Sequence, residues 1–196
     1  MYDPSKILTW LEEKVQMRQS RRKTLASLVG GAMRLQGAGV LALGRAMNGP
    51  AKAKHRIKRV DRFLGNPQVE VDAVSEALFH QLRPVQGHVV VLADWTDRHD
   101  FLQLVLALPR SGRALPFFSI TVQKGDGSGE HTGLMIEAES LAMATLERFC
   151  GNAITPVIIA DRGFGNTRWL GESTKRGWYF VQRLACNHGI NVDEYV

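Results

Sequence analysis

The sequence predicts a mixed α/β protein with a helical, basic front half and a strand-rich back half. Three observations carry that expectation. Apolar residues recur at helical spacing through roughly the first eighty positions. After Gly87 they gather into short continuous runs separated by turn residues. The charge also changes sign along the chain: residues 1–65 hold 14 Lys/Arg against 4 Asp/Glu, and the remainder 11 against 15. At 196 residues, 44% hydrophobic and 22% charged, the composition is that of one or two globular domains and not of a disordered chain. No apolar run approaches the roughly 20 residues that span a bilayer, and Met1 to Lys6 opens no signal-peptide core. Cys150 and Cys186, the only two cysteines, make neither a disulfide scaffold nor a zinc pattern, so a reducing cytoplasm is the expected compartment.

Taken in order, Trp10, Leu11 and Val15 sit at helical spacing, as do Leu25, Leu28, Val29, Ala32 and Met33. Gly37 and Gly39 punctuate, Leu41 to Met47 form a short helix, and Asn48-Gly49-Pro50 is a turn. From Ala51 to Leu64 the residues Ala53, Ile57, Val60 and Leu64 make one helical stripe, while Lys52, Lys54, Arg56, Lys58, Arg59 and Arg62 occupy the remaining surface. A short helix, a glycine-containing turn and a basic amphipathic helix resemble a helix-turn-helix pattern, and six cations on one helix suit a phosphate backbone. Gly65-Asn66-Pro67 ends that helix, and another, with Val71, Val74, Leu78 and Leu82 on one face, runs to Pro84.

The back half reads β-β-β-α-β-α-β. His88 to Ala93 is the first strand and is closed by Asp94; Phe101 to Leu108 and Arg113 to Gln123 complete a meander around the Pro109–Gly112 turn. A Gly-rich connection, Lys124 to Gly133, leads to a helix from Ile136 to Cys150 with Leu141, Thr145 and Phe149 on one face. Thr155 to Ala160 is the fourth strand, ended by Asp161. A helix over Asn166–Arg176 and a fifth strand over Trp178–Leu184 follow.

Asp94 and Asp161 thus occupy equivalent places, each after a buried hydrophobic strand. If the first and fourth strands are neighbours, the two carboxylates converge, and close carboxylates repel unless a cation lies between them. Mg²⁺, or Mn²⁺ in its place, suits such oxygen donors. Asp97 reads as a turn or supporting residue, Asp100 as another acid near the site, and His99 as an exposed loop residue. Gly125 to Gly129 fails the G-x-G-x-x-G spacing because Glu130 stands at the third glycine position, which argues against a nucleotide-binding or phosphatase-type enzyme.

These residues resemble the DDE transposases of bacterial cut-and-paste insertion sequences. The resemblance is carried by Ala93-Asp94-Trp95-Thr96-Asp97, Ser111-Gly112-Arg113-Ala114-Leu115-Pro116, Ile159-Ala160-Asp161-Arg162-Gly163-Phe164-Gly165 and Gly177-Trp178-Tyr179-Phe180-Val181-Gln182-Arg183, in the family's order. Arg56 to Asn66 resembles the basic segment ahead of the catalytic core. The resemblance implies a ribonuclease H-like core, with Asp94 and Asp161 as the first two metal-binding, catalytic acids. It also implies Mg²⁺-dependent cleavage at transposon ends by water, followed by strand transfer from the freed 3′-hydroxyl.

The family's third acid, a glutamate in Y-x-x-R-x-x-x-E beyond the fifth strand, has no counterpart. Tyr179 and Arg183 have the wrong spacing, Glu172 precedes that strand, and Glu194 falls in the terminal segment. The expectation is a transposase truncated before its third acid, inactive alone, with apolar sheet surface left uncovered. Residues 1–86 form the helical DNA-binding region and residues 87–196 the incomplete ribonuclease H-like core. Expected partners are double-stranded transposon-end DNA, a second copy or full-length transposase, and no membrane; the place is the bacterial cytoplasm, on DNA. The alternative is a non-catalytic protein that binds transposon ends or inhibits full-length transposase.

Overall fold

The computed structural model describes residues 4–35, 39–124, 130–161, 164 and 167–183. The Gly-rich run 125–129, Gly37, the motif residues 162, 163, 165 and 166, and the terminal segment with Cys186 and Glu194 lie outside the described residues. Among the described residues there are seven helices and five strands, and the chain divides into two compact units, Met1–Ala77 and Leu78–Val196. The division falls inside a helix, ahead of the expected boundary at residue 86. Among the described residues no helix is long and apolar enough to cross a membrane.

The first unit contains α1 (Pro4–Lys14), α2 (Gln19–Ala32), α3 (Val40–Ala46), α4 (Ala53–Leu64) and the first half of α5 (Val71–Leu82). Two apolar clusters hold it. Leu11, Val15, Met17, Ala26 and Ala77 form one; Leu28, Leu43, Met47 and Val60 form the other. The second cluster closes α3 onto α4, and Gly44 permits the approach: a Cβ there would stand 2.6 Å from the Cα of Ile57. Helices rarely meet this closely without a residue that lacks a side chain.

The expected stripe on α4 is shorter than its spacing implies. Val60 is fully buried and Ile57 half-buried, but Ala53 and Leu64 are exposed. The reason is that α2 and α3 cover only the middle of α4. Val29 of α2 and Met33, just past its end, are also exposed, although their spacing predicts core.

The second unit is built on a sheet of β1 (Gly87–Arg98), β2 (Phe101–Arg110), β3 (Arg113–Gln123), β4 (Ile154–Ala160) and β5 (Tyr179–Gln182), in the order β3-β2-β1-β4-β5. The first three strands are antiparallel neighbours, whereas β4 joins β1, and β5 joins β4, in parallel. Ser111 and Gly112 both have positive φ, 51° and 73°, in the two-residue turn that joins β2 to β3. That left-handed pair matches the twist of a tight hairpin.

Two helices, α6 (Glu130–Cys150) and α7 (Thr167–Lys175), complete the unit. One sheet face, with Val89, Val91, Leu104, Leu106 and Ile158, packs against Leu146 and Phe149 of α6, Trp169 of α7 and Phe79 of α5. On α6 the buried face is Ala138, Ala142, Met143, Leu146 and Phe149, so Leu141 points to solvent, contrary to the expected face, while Thr145 is buried as expected. The other sheet face stays open at its parallel side: Val90 is 37% exposed, Ile159 38%, Tyr179 58% and Val181 59%. Alternation along each strand sends these residues away from the helices.

One boundary needs correcting. The first strand does not stop at Ala93; β1 runs on to Arg98, with Asp94 paired to Val105 of β2. Pairing to β4 covers Gly87–Ala93 and pairing to β2 covers Leu92–Arg98, so the hydrophobic run marks the stretch beside β4 and the strand continues beside β2.

Candidate functional site

Pairing between β1 and β4 ends at Ala93 and Ala160. The next residue in each segment is an aspartate. Asp94, still on β1, and Asp161, just past the end of β4, each stand one residue beyond the last paired position of two neighbouring strands. Both are exposed. The Asp94 carboxylate accepts a hydrogen bond from the Thr96 hydroxyl at 3.2 Å. The backbone at Asp161 is pinned from two sides, its carbonyl accepting from the Phe164 N–H at 3.2 Å and from the Gln182 side-chain amide at 3.3 Å. Sheet pairing thus brings together two acids that lie far apart in the chain, and β5 steadies the second.

The donor set suits a hard divalent cation: ionisable oxygens on adjacent strands, open to solvent. Among the described residues no group of three or more His, Cys, Asp or Glu is gathered to hold a metal. Asp97 does not join the pair. Its carboxylate is taken by the Lys124 ammonium at 2.6 Å, and alternation puts it on the opposite face of β1. His99 is exposed, with a φ of 52°, in the β1–β2 turn. Asp100 also lies in that turn, its carbonyl accepting from the Lys124 N–H at 2.8 Å.

Trp95 points the opposite way from Asp94, towards the helices, and its indole N–H donates to Glu139 of α6 at 3.2 Å. Arg168 of α7 closes the arrangement with a 2.5 Å ion pair to the other Glu139 oxygen. Glu139 is buried, which pushes its carboxyl above the usual range against the opposing pull of Trp95 and Arg168. This cluster ties β1, α6 and α7 together directly behind Asp94. Elsewhere, Lys175 and Arg176 hold the Glu172 carboxyl down to about 2. Burial pushes the Cys150 thiol up to about 12, which makes it a poor nucleophile.

In the first unit the six cations of the basic helix divide by role. Lys52, Lys54, Lys58, Arg59 and Arg62 are exposed. Arg56 is half-buried, and its guanidinium donates to the carbonyls of Gly44 at 3.2 Å, Gly49 at 3.2 Å and Ala51 at 2.8 Å. It ties the end of α3 and the turn after it to α4. Arg59 reaches across to α2, with two N–H groups donating to the Thr24 hydroxyl.

Compared with known proteins, the chain matches no family model and no curated protein sequence.

Glu139, Arg168 and Thr24 were missed by reading the sequence. A signal existed for the first: a tryptophan beside a core strand needs a partner for its N–H, and Glu139 sits next to Ala138 on the buried face of α6. Thr24 likewise is a polar residue on the inward face of α2, beside Leu25 and Leu28. The partner in each case comes from a distant segment, which spacing does not reveal.

Proposed function

We propose that the chain is a transposase, or a transposase fragment, of the DDE lineage. In this reading it binds transposon-end DNA through its helical unit and acts on phosphodiesters through Asp94 and Asp161. The observation that carries the reading is that each follows directly on the last residue pair, Ala93 and Ala160, of the β1–β4 pairing. The strand order β3-β2-β1-β4-β5, with its antiparallel meander and parallel extension, supports a ribonuclease H-like core. Asp94 and Asp161 would hold Mg²⁺, with Mn²⁺ as substitute. Bound there, the metal supplies charge stabilisation for displacement at phosphorus.

The chain's own residues do the rest. Thr96 orients the Asp94 carboxylate, the Trp95–Glu139–Arg168 cluster anchors the strand behind it, and Lys52, Lys54, Lys58 and Arg62 face a phosphate backbone. Two carboxylates hold a cation more weakly than three, so cleavage by this chain alone is expected to be slight or absent. Pairing of two transposon ends calls for a second copy or a full-length transposase as partner.

Mn²⁺ binding measured by electron paramagnetic resonance tests the site. Asp94→Asn and Asp161→Asn should each weaken binding by at least about tenfold, an effect on the order of 1.4 kcal/mol. Equal affinity in both variants and the unaltered protein would overturn the metal site. Salt-sensitive binding of duplex DNA with no metal response would leave a non-catalytic DNA-binding protein as the reading.

A further inference from the structure

A cleft of about 470 Å³ runs between α2 and α4, bordered by Ser20, Arg21 and Thr24 on one side and by His55, Arg59 and Arg62 on the other. No carboxylate is among its lining residues. Arg21 is spent within the fold, ion-paired to Glu70 at 2.5 Å and bonded to Gln68 at 2.9 Å. Arg59 is held differently. Its Nε and Nη2 both donate to the Thr24 hydroxyl, at 3.0 and 2.8 Å, while that hydroxyl donates onward to the Ser20 carbonyl at 2.8 Å.

Two consequences follow from that geometry. Thr24 is buried and its hydroxyl is saturated, with one proton given and two lone pairs occupied. The guanidinium is therefore fixed in direction by a neutral group that cancels none of its charge. Of its five N–H donors, two go to Thr24 and the other three have no hydrogen-bond partner among the described residues. A fixed guanidinium with donors to spare favours a phosphate or carboxylate, which it can grip with two parallel bonds.

We propose that this cleft seats one backbone phosphate of a DNA strand, with Arg59 as the aimed donor, Thr24 as the residue that positions it and Arg62 beside it. The proposal rests on the DNA-binding reading of the helical unit and goes beyond it, because it assigns a wall of α2 to the interface and separates one aimed contact from diffuse charge. A strand is favoured over a small free anion because Arg62, one turn beyond Arg59 on the same side of α4, continues the positive surface along the helix.

Fluorescence anisotropy with a labelled duplex, across a salt titration, tests this. Arg59→Gln should lower the slope of log affinity against log salt by about 1, the signature of one lost phosphate contact. Thr24→Val keeps every charge, so the slope should stay while affinity falls about two- to tenfold as the guanidinium loses its fixed direction. Thr24→Ser, which retains the hydroxyl, should bind as the unaltered protein does; Lys6→Gln, on α1, is the control.

If Thr24→Val and Arg59→Gln both behave like Lys6→Gln while the unaltered protein binds duplex, this inference falls and the DNA-binding reading stands. If the unaltered protein does not bind duplex, both fall. Titration with inorganic phosphate separates the sources. Phosphate binding that depends on Thr24 while duplex binding does not would overturn the strand in favour of a free anion.

Discussion

The two units handle their arginines in opposite ways. In the sheet unit several cations meet carboxylates: Arg168 pairs with Glu139, Arg176 with Glu147 and Glu172, Lys124 with Asp97 and Lys175 with Glu172, with Arg83, bonded to His80 and to the Pro84 and Val85 carbonyls, as an exception. In the helical unit Arg56 is anchored on backbone carbonyls, Arg59 on a hydroxyl and Arg34 on the Ala46 carbonyl, with Arg21–Glu70 as an exception. A guanidinium fixed by a carboxylate loses most of its field, whereas one fixed by a neutral acceptor keeps it. The same residue type therefore cements one unit and electrifies the other. A surface built the second way carries a positive potential on a rigid frame, which is what a polyanion requires.

The largest effect expected from breaking this contrast is at Glu139. Glu139→Ala leaves the Trp95 N–H and the Arg168 guanidinium without their partner behind β1. A broken buried pair costs about 3–5 kcal/mol, and the partial exposure of Arg168 brings the expected loss to about 2–3 kcal/mol in urea unfolding. Glu139→Gln should lose less, because its carbonyl still accepts from the indole. Equal losses in the two variants would mean that the packing of the side chain, and not its bonds, holds the cluster.

Arg56→Met comes next. Losing the carbonyl bonds of a half-buried guanidinium, to Gly44, Arg45, Gly49 and Ala51, should cost about 1.5 kcal/mol, and the loss should change little between low and high salt, since the acceptors are neutral. A loss that disappears in high salt would show that Arg56 acts through charge, as an exposed pair does.

The smallest effect concerns Glu172. Its carboxyl sits at about 2 in the folded protein against an ordinary 4.5. The stability it contributes is therefore present above about pH 4.5 and lost as pH falls towards 2. The carboxylate is open to solvent, so the contribution is small and screened by salt. Glu172→Gln should lower stability slightly near pH 7 and flatten the acid limb in that window, the two curves meeting as pH falls towards 2. An acid limb of unaltered steepness would assign it to other carboxylates.

Much of the local structure was legible in the residues. The change from helical spacing to short continuous apolar runs marked the passage from α5 to β1, and Gly151 and the Ser111-Gly112 pair marked an end and a turn, where the backbone takes a positive φ that most residues resist. Boundaries were less legible. Asp94 reads as a strand end because apolarity stops there, yet β2 goes on pairing past it. Helix faces were legible only where neighbouring helices cover the whole length, which is why Leu64, Met33 and Leu141 proved exposed.

By itself the sequence determined the helical and strand-rich halves, the basic bias of the first, and two aspartates each following a hydrophobic run. These follow from local propensity, period and composition, which need no knowledge of distant segments. The tertiary structure alone decided that β4 pairs beside β1 and so leaves Asp94 and Asp161 each one residue past the last pair, since β2, β3 and α6 intervene in the chain. It alone decided which cations of α4 are spent and which remain. Whether a guanidinium is spent depends on the acceptors other segments carry to it, and Thr24 and the carbonyls of α3 and its turn reach α4 only when the chain has folded.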